Sequence, residues 1–136
     1  MPGGTSRSSI GPKCLALLPT VSVARIGVSQ DAIPAILPVN FVLHDGAVII
    51  RSGAGSKLAA TLANAVVAVE VDDFDPNGRT GWSVLVRGIA RVIDDPAGLA
   101  AVSLLPLQPW AEDGNDQFIA IDLQLVTGRR VHPTET

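Results

Sequence analysis

Apolar and polar residues alternate along much of this chain with a period of two, the repeat of a half-buried strand. Residues 21–29 (VSVARIGVS) alternate in this way, and so do residues 117–126, where Phe118, Ala120, Asp122 and Gln124 oppose Ile119, Ile121, Leu123 and Leu125. Residues 33–44 (IPAILPVNFVLH) predict a further strand, although Pro34 and Pro38 require an edge or a bulge there. A bulge at Pro38 would free the backbone of Val39, Asn40 and Phe41 to meet a ligand. Asp45-Gly46 is a two-residue hairpin signal that leads into the apolar strand Val48, Ile49, Ile50. Residues 65–71 (AVVAVEV) are apolar on nearly both faces and predict a central strand. The Glu70 within it needs a partner, and Arg87 or Arg91 is the expected one. Residues 82–93 (WSVLVRGIARVI) predict a long strand that bends at Gly88, as at a barrel corner.

Helical signals are short. Residues 13–18 suggest one turn or two before Pro19, with Cys14 as a buried, inert thiol. Leu58 and Leu62 share one face of a helix after Lys57. Asp95 followed by Pro96 is an N-cap with proline at the first helical position, for a helix expected to reach about Leu105. Residues 1–9 are small and polar and are expected to form a mobile tail, residues 10–131 a single domain, and residues 132–136 a second tail. Six strands, mostly in hairpin order with short helices between them, make the chain mainly β: an antiparallel barrel with α insertions.

Composition narrows this picture. The chain has 136 residues, 47% of them hydrophobic but only 4% aromatic, so one aliphatic core is expected. A net charge of −3 without a basic run argues against nucleic-acid binding. No apolar run is long enough to span a membrane, and no signal peptide opens the chain. With one cysteine there is no internal disulfide, and a cytoplasmic location is the simplest expectation.

The stretch with the most chemistry is VIIRSGAGSKLAATL, residues 48–62. A strand enters a small-residue loop bracketed by Arg51 and Lys57, and a helix leaves it. Glycines that let N–H groups converge, a helix N-terminus and two cations can together cradle a phosphate. The spacing is neither that of a P-loop nor that of a dinucleotide fingerprint. The alternative is an ordinary helix capped by Ser56 and flanked by two solvated cations. Residues 73–78 (DFDPNG) copy the first half of a calcium loop, but the closing glutamate position holds Val84, so a strand connection is expected. His44 and His132 stand apart, and no spacing suits a structural metal. No acid, base or nucleophile stands out, which fits a protein whose cofactor performs the chemistry.

The run ILPVNFVLHDGAVIIRSGAGSKL, with AVEVDDFDP and TGWSVLVRGIARVIDD after it, resembles the pyridoxamine 5′-phosphate oxidase-like family, and especially its small actinobacterial members. The later PLQPWAEDG and VTGRR segments share the likeness, which spans about residues 14–130. The resemblance implies a six-stranded split β-barrel that forms a homodimer, with FMN in each of two interfacial clefts. It implies that Pro38, Val39, Asn40 and Phe41 run along the isoalloxazine edge, and that Arg51, Ser52, Ser56 and Lys57 hold the phosphate. The second subunit would add side chains, for which Trp82, Trp110 and Arg129 are the candidates; the tryptophans equally suit interface packing. Oxidases proper have a second basic residue where Ser56 stands, and a substrate-phosphate set that includes Tyr. This chain has no Tyr, so pyridoxamine phosphate is not the expected substrate. Deazaflavin-dependent reductases and haem carriers of the same superfamily are the alternatives. Haem would need His44 or His132 as its axial ligand.

Overall fold

A computed structural model describes residues 5–9, 14–53, 57–107 and 116–133. Eight strands form one sheet: β1 Thr5–Ser9, β2 Val23–Gln30, β3 Ile33–His44, β4 Ala47–Ser52, β5 Val66–Asp75, β6 Thr80–Val92, β7 Gln117–Asp122 and β8 Leu125–Pro133. Its spatial order is β1-β8-β6-β5-β2-β3-β4-β7, and β7 pairs back onto β6. Strands β2 to β7 thus close a six-stranded antiparallel barrel, as expected, and β8 and β1 extend the sheet beyond it.

The closure is made by β6. Its first part pairs with β8 from Gly81 to Arg87, and its end pairs with β7 from Ala90 to Val92. Gly88 lies at the switch between them. A Cβ there would come within 2.8 Å of the Asp122 carbonyl oxygen, so the turn between β7 and β8 passes directly over it. The neighbouring Ile89 N–H donates to Gln124 Oε1 at 3.4 Å. The bend expected at Gly88 is therefore a change of partner strand.

Two expectations about the chain ends are corrected. Residues 117–126, read as one strand, are two: the apolar positions of the sequence run on through Leu123 and Leu125, so periodicity alone does not reveal the break, but the core-facing residues change from Ile119 and Ile121 to Val126 across it. Thr5–Ser9, read as mobile tail, pairs with Arg129 to Pro133 as β1. The side chain of Cys14 lies outside the described part, although Cys14 opens helix α1, Cys14–Leu17.

Pro34 and Pro38 mark an edge, not a bulge. The register of β3 with β2 is unbroken from Ile33 opposite Gln30 to Asn40 opposite Val23. Phe41 N–H donates to Ser22 O at 3.2 Å, so by alternation both prolines fall at positions that owe β2 no hydrogen bond. The register of β3 with β4 begins only at Phe41 opposite Ile50. The far edge of β3 before that point has no strand partner among the described residues.

The aliphatic core fills the barrel. Ile26, Val48, Ile50, Val69, Val84 and Ile121 are among its fully buried members, and Trp82 joins them. A second cluster on the outside joins Ala47 and Ile49 of β4 to Phe118 and Ala120 of β7, beneath Val102 of helix α3, Pro96–Val102. Burial on both faces explains the unbroken apolar run in β4. Helix α3 begins as expected, with the Asp95 carboxylate accepting from Gly98 N–H at 2.7 Å, but it stops at Val102. Asp73, Phe74 and Asp75 continue β5 in register with β6, so the calcium-like stretch is strand and turn.

Candidate functional site

A cleft of about 290 Å³ opens between the free edge of β3 and the segment that follows β4. Pro38 and Val39 line one side, Arg51, Ser52 and Gly53 the other, and Leu58 the floor. Four of the expected site residues therefore share one cavity. Asn40 and Phe41 line the adjoining one, of about 540 Å³. The sequence order produces this directly: the prolines keep one edge of β3 unpaired, and β4 must leave its ladder at Ser52 for the loop to begin.

Ser52 is 3% exposed, and its hydroxyl donates to Gly53 O at 3.4 Å. Lys57 occupies the N-cap position of helix α2, Leu58–Leu62, and its own side chain makes no capping hydrogen bond. A cap by Ser56 lies outside the described residues, as do Ala54 and Gly55. At five residues, α2 has too small a dipole to supply much positive charge. Lys57 is exposed and makes no ion pair with the described residues.

Arg51 is committed inside the protein. Its Nε donates to Asp116 Oδ2 at 2.9 Å, one terminal nitrogen donates to the Leu107 carbonyl at 3.0 Å, and the guanidinium carbon stands 5.1 Å from the centre of the Phe118 ring. The Asp116 side chain is 1% exposed, so this is a largely desolvated pair in which each charge neutralises the other. Arg51 thus ties the cleft wall to the segment after α3. Lys57, one residue before Leu58, is not among the residues that line the cleft. No local pattern pointed to Asp116 or Leu107, because their contacts span 65 and 56 residues.

Other expected residues lie elsewhere. Trp82 is buried in the barrel core opposite Asp73 and Arg130. Arg129 is exposed on β8, and its guanidinium donates to Gly128 O at 3.0 Å. Neither lines the cleft of its own chain. Trp110 lies outside the described residues. His44 is half-buried beside the hairpin turn, His132 is exposed on β8, and the described residues contain no cluster able to hold a metal. No helix among them is long and apolar enough to cross a membrane.

Glu70 takes a partner that the sequence reading did not anticipate. It faces Arg25 across the β2–β5 pair, at 3.5 Å, and Arg25 also reaches Asp72 at 3.3 Å. Arg87 stands opposite Ala68 instead. Partial burial first, and then the neighbouring Asp72, raise the Glu70 carboxyl from 4.5 to about 7, with Arg25 opposing the shift. This group is on the outer face of the barrel, away from the cleft.

The family model for pyridoxamine 5′-phosphate oxidase matches residues 12–130. The chain belongs to this family. An uncharacterised Mycobacterium tuberculosis protein, Rv0080, is 40% identical over 124 residues, covering 88% of this chain and 81% of the relative. The FAD-binding protein of Mycobacterium smegmatis superposes with a TM-score of 0.77 at 34% identity, over 93% of this chain and 97% of that one. A Corynebacterium glutamicum protein provisionally named a pyridoxamine 5′-phosphate oxidase superposes with a TM-score of 0.81 at 29% identity, over 96% of each chain.

Proposed function

We propose that this protein is an oxidoreductase that binds a flavin nucleotide, FMN, with its phosphate on the Arg51–Lys57 loop and its ring along the open edge of β3. The observation that carries the reading is the shared cleft: the edge of β3 that has no strand partner among the described residues faces Arg51, the buried Ser52 and Gly53, with Leu58 beside them, and Lys57 directly precedes Leu58 in the chain. The donor set suits a phosphate monoester, and Leu37, Val39 and Leu58 suit a flat ring. Flavin supplies reversible hydride or electron transfer at its central ring. Lys57 would hold the phosphate, Ser52 would donate to it, and Arg51, locked by Asp116, would keep the loop in place. Pyridoxamine phosphate is not the substrate that this reading favours, since the chain has no Tyr to bind it.

At about 290 Å³ the cleft lies just below the roughly 300–1,000 Å³ of enclosed ligand sites. A second copy of the chain closing over it fits that size, and a homodimer is part of the proposal. Strand register aligns Ile36, Gly27, Ala68, Arg87 and Leu125 across the outer face of β3, β2, β5, β6 and β8, with Val66 and Ile89 as the next pair. Ile36 is 73% and Val66 75% exposed, an apolar face of the kind that subunits bury.

FAD is a second reading, favoured by the FAD-binding relative from Mycobacterium smegmatis. Absorbance titration with FMN and with FAD tests both. Flavin bands should saturate at one per chain, and Lys57→Ala should weaken binding about tenfold or more, the worth of one charge-assisted contact. Failure of both nucleotides to bind would overturn the proposal.

A further inference from the structure

The cavity of about 540 Å³ beside the cleft has no part in the flavin reading beyond the Asn40–Phe41 backbone. The two cavities follow one another along β3: Pro38 and Val39 line the cleft, and residues 40–43 line the larger space. Its opposite walls come from Val21 and Ser22 just before β2 and from Leu105 to Leu107 just after α3. The hydrogen bond from Arg51 to the Leu107 carbonyl joins the wall of one cavity to the wall of the other.

Its chemistry differs from that of the cleft. None of the described lining side chains is ionisable, and the polar ones are Ser22 and Asn40. Arg51, whose guanidinium reaches the Leu107 carbonyl in the cavity wall, is matched by the Asp116 carboxylate. A phosphate or carboxylate entering here would lose hydration and gain no counter-charge. An apolar ring would lose only its contact with water, which is favourable by about 25 cal/mol per Å² buried.

We propose that the cavity between residues 40–43 and 105–107 binds an uncharged, ring-containing, largely apolar organic molecule, with the Asn40 amide as its main polar contact. Binding needs no cofactor. Only the further reading, that this molecule is the reaction partner held next to the flavin, rests on the function proposed above. The site gives a positive reason for the substrate class: it selects against phosphorylated molecules by leaving them without a charge partner.

N-phenyl-1-naphthylamine, an uncharged fluorophore that brightens in apolar sites, is the probe. The full chain, with and without FMN, should bind it saturably, with displacement by indole and not by pyridoxamine 5′-phosphate. Leu105→Arg should weaken the probe at least tenfold and leave FMN titration unchanged. Pro106→Glu, at an exposed lining position, provides a second charged variant should the first fail to fold. Absence of saturable binding, displacement by pyridoxamine 5′-phosphate, or indifference to the charged variants would each overturn the proposal. Displacement by FAD but not by FMN would also overturn it, since the space would then hold the adenosine half of a dinucleotide. Probe binding in a chain that takes up no flavin would support the cavity and sink only the cofactor reading.

Discussion

Arg51 and Glu70 are two charged side chains that the sequence singled out, and both found partners that only tertiary structure supplies. The end of β4 just after Arg51 was legible, because an apolar run gives way there to small residues. The pairing of Arg51 with Asp116 was not, since it depends on how the chain returns after α3. Glu70 was correctly read as needing a partner, but Arg25 is 45 positions away and becomes adjacent only when β5 pairs with β2. Its raised carboxyl has a thermodynamic consequence. The folded protein holds the proton up to about pH 7, whereas the unfolded chain releases it near 4.5. Between those values the native state binds more protons, so its stability falls as pH rises and levels off above the window. Glu70→Gln should therefore raise the melting temperature more at pH 8 than at pH 5. An equal shift at both pH values would show that the proton is not held this way.

At the scale of elements, the strands themselves were plain from period-two alternation, and the prolines of β3 limited that strand to an edge or a bulge. The prolines could not tell an edge from a bulge, because either arrangement spares their missing N–H. The division of residues 117–126 into β7 and β8 was hidden for a different reason: Leu123 and Leu125 continue the apolar positions of Ile119 and Ile121 in the sequence, although the inward set shifts from Ile119 and Ile121 in β7 to Val126 in β8 and leaves Leu125 exposed. Gly88 marks that junction. Its missing side chain lets the Asp122 carbonyl approach to where a methyl group would collide with backbone, and backbone cannot rotate away. Gly88→Ala should cost about 1–3 kcal/mol of stability in urea unfolding. A neutral result would mean that the turn over β6 yields easily.

The whole molecule follows from closure. Six strands in hairpin order with an aliphatic surplus indicated a barrel, and the register confirms one. What the local pattern could not convey was which outward-facing apolar residues line up, since that depends on five strands at once. If the Ile36–Leu125 face joins two copies, Ile36→Arg should convert dimer to monomer in light scattering and weaken FMN binding at the same time. A monomeric wild type would remove this part of the proposal. The two strands outside the ring give the fold a second property. Among the described residues, β8 pairs only with one flank of β6 besides β1, and β1 pairs with β8 alone. These two can unzip together while every strand of the ring keeps both of its neighbours, and no ring strand can leave without opening the barrel. The molecule therefore has a seam. Once β8 lifts, β6 presents a bare edge seven residues long, from Gly81 to Arg87, that the β8 of another copy could fill as readily as its own.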